Sequence, residues 1–461
     1  MRRLLVIVLL AGFGCGKKTV PATTVPATVI NPHADLYQLG LTAFREFTPE
    51  GYRRAIGYFH RASDLAPGIC DYRLHLAQAS VFLAFEQSTN LEDYANTLNQ
   101  SDPPACGDGS AFSLHLETFR AHRSFGLGRD RAAGLSQVNA LLAREPENAL
   151  NWFLAWEFGS NSNQNASPIF QEPDLPSDLA IIRYYRGRYW LLRGDPVRAR
   201  RSFERALELS PRHFRSYLGL AEAASTIDAD ADVEHYYKTV VEIAPEFLLG
   251  RSSLGDYYSW IAETGLAEEQ YRSALKQNPR YIPAYLGLGQ AMLSAGMLEQ
   301  AEQALTSAIR IAPGAYEAYY YLGNVWLARE EFHKAREQYE AALNQVPVYP
   351  EALYALGVVF GETHQFDAAL EQFEKVLRVS PRHPGAFFWR AVIRADRKQF
   401  AEALSDCARS IALYDEQIAV VTRSIANAER RGLTRRVASE QRKKDQLEET
   451  RHRVMELKAS L

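Results

Sequence analysis

Cysteine is scarce in this chain of 461 residues: it occurs 4 times, as Cys15, Cys70, Cys106 and Cys407. None belongs to a Cys-x-x-Cys pair and no Cys/His spacing suits zinc, so no metal site is expected. An excess of charge is lacking too. The 52 Lys and Arg against 55 Asp and Glu leave a net charge of −3, and no global basic field calls for nucleic acid. Beyond the first residues there is no second long apolar run, and a bilayer-spanning helix takes roughly 20 such residues. Catalytic signatures are missing: there is no HExxH, no GxSxG and no glycine-rich loop between strand and helix. No run reads convincingly as a strand, so a doubly wound sheet or a barrel has nowhere to sit. Neither a cofactor nor a small-molecule substrate is expected. The 11 histidines are scattered, and His213 and His383 recur in one phrase, "SPRH", as turn residues.

The start of the chain, "LLAGFGCGKKTVPATTVPATVINP" from Leu9 to Pro32, carries a Gly-Lys that invites comparison with a phosphate-binding loop. Spacing rejects it: Ala11 stands where the first glycine belongs, and Lys18 where a hydroxyl must reach magnesium. A secretion signal fits better. Arg2 and Arg3 form a basic start, Leu4–Ala11 an apolar run, and Gly14 precedes Cys15. This resembles the bacterial lipoprotein signal, with Gly12 in place of the usual leucine three residues before the cysteine. The resemblance implies lipid on Cys15, with cleavage removing residues 1–14. Gly16 after the cysteine resembles outer-membrane sorting, so the expected place is the cell envelope, at an outer membrane facing the periplasm. The near-repeat "TVPATTVPAT" makes residues 15–33 a flexible tether. In that oxidising compartment Cys70 and Cys106, both flanking loop-rich stretches, are the candidate disulfide. Cys407 sits in a helical pattern and reads as a small core residue.

The second half is organised by a period of 34. Pro211, Pro245, Pro279, Pro313, Pro347 and Pro381 share one register. Small residues return at Gly187, Ala221, Gly255, Gly289, Gly323, Gly357 and Ala391. They return again twelve residues later, mostly as alanine, as at Ala199, Ala267, Ala335 and Ala403. Four residues further stand Phe203, Tyr237, Tyr271, Leu305, Tyr339, Phe373 and Cys407. The unit Tyr316–Tyr349 is the clearest, with Tyr319, Leu322, Gly323, Trp326, Ala335, Tyr339, Ala342 and Pro347 in place. This pattern resembles the tetratricopeptide repeat family, whose unit is two antiparallel helices. Gly323 and Ala335 then let the pair approach closely, and Pro347 ends the second helix.

Residues 178–415 read as seven repeats, the last degenerate, with Arg390, Cys407 and Asp415 where leucine, an aromatic and proline are expected. Residues 34–176 read as degenerate repeats with loop insertions. There Ala55, Phe59, Ala62 and Pro67 carry the second-helix signature behind a "TPEG" insertion that lengthens the inter-helix turn. Residues 416–461 read as a capping helix, Gln417–Arg430, and a charged tail with too few apolar positions for a core helix. The expected fold is an all-α, right-handed α-solenoid with a C-terminal cap.

The resemblance implies a concave groove lined by the first helices, with the fifth and ninth repeat positions pointing into it. Those positions include Tyr184, Arg188, Leu286, Gln290, Tyr320, Asn324, Tyr354, Val358 and Phe388. Such a groove suits a protein or peptide partner with apolar anchors. The expected function is therefore a non-catalytic envelope scaffold, bound to the membrane by a lipid anchor, in assembly of secretion, pilus or cell-wall machinery. The alternatives are a regulator of a cell-wall enzyme, or a catalytic region within 34–176. The competing reading of the groove aromatics is that they pack against a neighbouring repeat or the terminal helix.

Overall fold

The structure, a computed structural model, describes residues 32–80, 140, 180–226 and 232–461, apart from 45, 47, 70–71, 74, 77–78 and 431. The signal, Cys15, most of the tether, Cys70 and Cys106 lie outside the described residues. The described chain is helical, with no strand among its residues. An N-terminal pair comprises α1 (Pro32–Phe44) and α2 (Pro49–Leu65). Five helix pairs follow: α3 (Ala180–Leu192) and α4 (Pro196–Leu209); α5 (Phe214–Thr226) and α6 (Val233–Ile243); α7 (Leu248–Trp260) and α8 (Thr264–Gln277); α9 (Ile282–Ser294) and α10 (Leu298–Ile311); α11 (Tyr316–Ala328) and α12 (Phe332–Gln345). The array closes with α13 (Pro350–Glu362), α14 (Phe366–Val379), α15 (Pro384–Asp396), α16 (Phe400–Arg430) and α17 (Thr434–Ser460). From α3 onward every first helix begins 34 residues after the last.

Two turns, repeated, set this spacing. At the end of α11, Glu330 adopts φ 60°, its N–H donates to Leu327 O at 2.9 Å, and the Glu331 N–H donates to Trp326 O at 2.9 Å. That is a Schellman cap, which satisfies the last helical carbonyls with one left-handed residue. Gly194, Ala262, Gly296, His364 and Lys398 hold the same conformation in the same register. The second turn leads out of each second helix through the proline series, where the missing N–H stops the helix.

Packing within each pair follows from side-chain size. Ala199, Ala267, Ala301, Ala335, Ala369 and Ala403 are fully buried, as are the large residues one turn later in the same helices. A Cβ added to Gly255 would lie 2.7 Å from the Tyr271 ring, and one added to Gly287, on the next first helix, 2.4 Å from it. Phe203 is clasped in the same way by Gly187 and Gly219. Each ring therefore locks its own pair and the following pair, with roughly 1.5–3 kcal/mol from burying one such side chain.

Three features differ from the sequence reading. The "TPEG" stretch lengthens the turn by only one residue, with 45–48 between α1 and α2 against 193–195 between α3 and α4, and the rest extends α2 at its start. Thr48 is the N-cap, its hydroxyl accepting from Gly51 N at 2.9 Å, and Pro49 opens the helix. Helix α1 begins at Pro32, inside the stretch read as tether, and its Gly40 receives the Phe59 ring of α2. The boundary placed at 416 falls within α16, which runs unbroken for 31 residues because Asp415 stands where the other repeats have proline. The helix stops only at Gly432, φ 70°. Helix α17 then returns along α16 and buries Val454 against Ala391, Cys407 and Tyr414.

In the degenerate last repeat, Arg390 replaces the expected leucine. Its guanidinium donates twice to Asp406, at 2.8 and 2.6 Å, and Arg394 adds a third bond at 2.7 Å. The Asp406 side chain is 6% exposed, so this is a buried, multiply bonded cluster in an otherwise apolar position.

Candidate binding groove

The first helices α7, α9, α11, α13 and α15 each touch the next one of the series, and the second helices make no comparable contact among the described residues. Stacking that is tighter on one side curves the array, placing the first helices on the inner wall. The fifth and ninth repeat positions form two rows along these helices.

The rows change character from end to end. Tyr184 is 6% exposed, its ring edge-on to Tyr185 at 5.0 Å and to His213 at 5.3 Å, so it belongs to the core. His213 is fully buried with its Nδ1 2.7 Å from Ser216 Oγ; burial first, and the Arg215 charge second, pull its pKa down to about 3. Arg188 pairs with Glu222, the ninth position of the next repeat. Asp256 is open to solvent and accepts from Tyr271 Oη at 2.6 Å, yet the surrounding wall withdraws enough water to raise its carboxyl above the usual range. Gln290 is exposed and Leu286 half-buried beside it.

Toward the C-terminal end the wall turns aromatic. Tyr320 is half-buried, 5.2 Å from the Tyr349 ring and 6.1 Å from Tyr339. Asn324 accepts from Tyr339 Oη at 2.7 Å, as Asp256 does from Tyr271. Tyr354 lies 4.4 Å from the His383 ring, and His383 Nδ1 caps α15 by accepting from Ala386 N at 3.1 Å. Val358 is half-buried in the same wall. Burial raises the phenol pKa of Tyr320, Tyr349 and Tyr354, so the wall presents neutral hydroxyls. Phe388 packs into the cluster around Val454 of α17, covered by the chain's own terminal helix.

The positions from Leu286 to Val358 line successive first helices rather than converging on one centre, while Tyr184 is buried and Phe388 is covered. His213 and His383, read from sequence as turn residues, stand at position 34 of the repeat, which Phe247, Tyr281 and Tyr349 also occupy in register and which packs against the fifth position. Among the described residues no group of three or more His, Cys, Asp or Glu is placed to hold a metal ion. No described helix is long and apolar enough to cross a membrane.

Tetratricopeptide repeat models match residues 186–245 and 354–418, and a second pair of matches covers 263–322 and 293–358. The chain is a tetratricopeptide repeat protein. The matched segments hold the helix pairs whose glycine, alanine and ring positions recur at 34 residues. No curated protein matches the chain. Similar solved structures include yeast Tom70, 17% identical, covering 87% of this chain and 96% of that one with a TM-score of 0.47. PilW, a type IV pilus biogenesis factor, is 17% identical, with 46% and 97% covered and a TM-score of 0.41. YrrB, a repeat protein with an unusual peptide-binding site, is 20% identical, with 40% and 95% covered and a TM-score of 0.31. Tetratricopeptide repeats form protein-interaction scaffolds, and the repeats found here support that role for this chain.

Proposed function

We propose that this repeat protein is a non-catalytic scaffold that holds a peptide or protein segment against the strip from Leu286 to Val358. The observation that carries this reading is the inner wall itself. Gln290 is open, Leu286, Tyr320 and Tyr354 are half-buried in one row, and Val358 is half-buried in the row beside it. Tyrosines at such a surface give apolar contact area together with a polar tip at low cost in side-chain entropy. The reading places the scaffold in the bacterial envelope. Cys15 carries lipid, residues 15–31 give reach, and the array serves assembly of secretion, pilus or cell-wall machinery. The signal-like order of Arg2, Arg3, Leu4–Ala11, Gly14 and Cys15 supports this placement.

The test is capture of envelope proteins by the intact chain, by Gln290→Lys, which alters exposed surface alone, and by Tyr320→Ala. Loss of the same captured proteins from both variants at unchanged helix content supports the strip; retention by both refutes it. Metabolic labelling with a fatty acid tests the anchor: label on the intact chain and none on Cys15→Ser is expected. Equal labelling of the two refutes lipidation at that cysteine.

A further inference from the structure

Helix α7 ends at Trp260 on the third repeat, and against that end lies a segment 179 residues further along the chain. Ser439 Oγ of α17 donates to Trp260 O at 2.5 Å. Arg435 Nε lies 3.2 Å from Glu263 Oε1. The Arg436 guanidinium stands 5.1 Å from the centre of the Trp260 ring, and its Nη2 donates to Ser424 Oγ of α16 at 3.0 Å. Arg436 and Glu440 are 6% and 7% exposed although both are charged residues of the chain's most polar helix. The other end of α17 is anchored on repeat seven through Val454, Leu447 and Leu457. The α16–α17 hairpin therefore reaches from the seventh repeat to the third, past the three between.

The two anchorages differ in kind. The one on repeat seven is mainly apolar, closed around the fully buried Val454 and Cys407 and flanked by the Arg451–Asp415 ion pair. The one on repeat three consists of an ion pair, a hydrogen bond and a cation–π contact, with Trp260 39% exposed. The Arg435–Glu263 ion pair lies between exposed side chains, so it is weak and screened by salt, whereas the Arg436–Trp260 contact, with Arg436 buried, is the firmer part of the latch. Beside the fixed end, a pocket of about 500 Å³ is lined by Tyr354 and His383 and by Tyr414 and Gln417 of α16, and one of about 450 Å³ lies between the two helices of the hairpin at Val420 and Leu447. Tyr354 belongs to the groove strip, so the hairpin passes over it.

A repeat array lacks long-range contacts, and its groove width is free to vary as the stack stretches. A contact between repeats three and seven removes that freedom. We propose that the α16–α17 hairpin is a reversible brace, fixed at repeat seven and latched on Trp260 and Glu263, that holds the groove narrow and covers its aromatic end. Released, the tip swings off α7 and the stack between repeats three and seven is free to stretch, widening the groove. The consequence for partner access rests on the groove reading; the latch itself does not.

Hydrogen exchange of the full-length chain, with no partner added, separates the two. Exchange of amides 432–441 reports opening of the tip. Glu263→Arg is expected to speed it about tenfold, the effect of removing a modest polar anchorage. Glu263→Arg combined with Arg435→Glu is expected to restore it, and amides 400–413 at the fixed end are expected to stay unchanged throughout. Raising salt from about 0.05 to about 0.5 M is expected to speed the tip of the unmodified chain and leave Glu263→Arg unaffected. A tip whose exchange ignores the charge reversal, or that the paired reversal does not slow again, overturns the latch. Tyr320→Ala, which touches the groove and not the latch, is expected to leave tip exchange unaltered, so failure of the groove reading leaves this result standing.

Discussion

Replacing Gly287 by alanine tests the packing rule that builds the array. In the interior of a helix alanine is favoured over glycine by about 0.8–1 kcal/mol, and an unopposed substitution stabilises by that amount. Gly57 in α2 provides the reference, because nothing lies within 4 Å of a Cβ placed there. At Gly287 the new Cβ would lie 2.4 Å from Tyr271 Cε1, 2.5 Å from Cζ and 2.8 Å from Oη. The ring cannot retreat: it is 1% exposed, Gly255 of its own pair also crowds it at Cε1, and its hydroxyl is tied to Asp256 at 2.6 Å. Forcing a methyl into such a site costs about 1–3 kcal/mol, and a contact this short belongs in the upper part of that range. The net expectation is a loss of about 1–2 kcal/mol for Gly287→Ala against a gain of up to about 1 kcal/mol for Gly57→Ala. Urea unfolding followed by far-ultraviolet circular dichroism measures both. In a Tyr271→Ala background the crowding is gone, and Gly287→Ala is expected to become stabilising, which a double-mutant cycle reads directly. If Gly287→Ala stabilises the otherwise unmodified chain as much as Gly57→Ala does, the ring is not clasped as described.

Three further outcomes follow from the same geometry. The pKa of His213 in the folded chain is about 3 against about 6.5 when unfolded, so the unfolded state binds the extra proton between those values. Its contribution to stability is complete above about pH 6.5 and is lost as the pH falls toward 3, by about 1.4 kcal/mol per pH unit at most. His213→Phe, the residue of the next repeat at Phe247, is expected to flatten that part of a stability–pH profile; an unchanged profile contradicts the assignment. Ala262 holds φ 61° where Gly296 serves in the next repeat, so Ala262→Gly is expected to stabilise by about 0.5–1 kcal/mol, the left-handed penalty less the entropy of glycine. Thermal unfolding checks it, and a lower midpoint refutes it. Asp406→Ala leaves Arg390 and Arg394 without their carboxylate and is expected to cost about 3–5 kcal/mol, whereas Arg390→Leu with Asp406→Gln, matching the other repeats, is expected to be near neutral.

What the sequence disclosed and what it hid divide along physical lines. Period, proline register and the glycine–alanine–ring triad were legible because each repeat must solve the same close-packing problem with the same side-chain sizes. The left-handed turn residues were harder, since Ala262, Glu330, His364 and Lys398 are not glycine; only their register with Gly194 and Gly296 reveals them. The opening of α2 at Pro49 was misread because Thr48 was counted as loop rather than cap. Asp415 was recognised as a missing proline, but its consequence, an uninterrupted α16, was not carried through. The packing of α17 escaped because it depends on few apolar residues, Leu447, Val454 and Leu457, spread along a very polar helix. For the groove, register places Leu286, Gln290, Tyr320, Tyr354 and Val358 on successive first helices. Tyr184 packs on His213, a contact that recurs in register as Tyr320–Tyr349 and Tyr354–His383, whereas covering of Phe388 comes from α17, which no periodicity encodes.

The central claim is that partners dock on the inner wall. Its most direct test is a photo-crosslinking side chain placed at Gln290 on that wall, compared with the same group at Glu371, exposed on the second helix of its repeat. Irradiation in envelope extract is expected to give covalent protein adducts from position 290 and none from position 371. Adducts from position 371 alone, or equal adducts from both, would contradict the account.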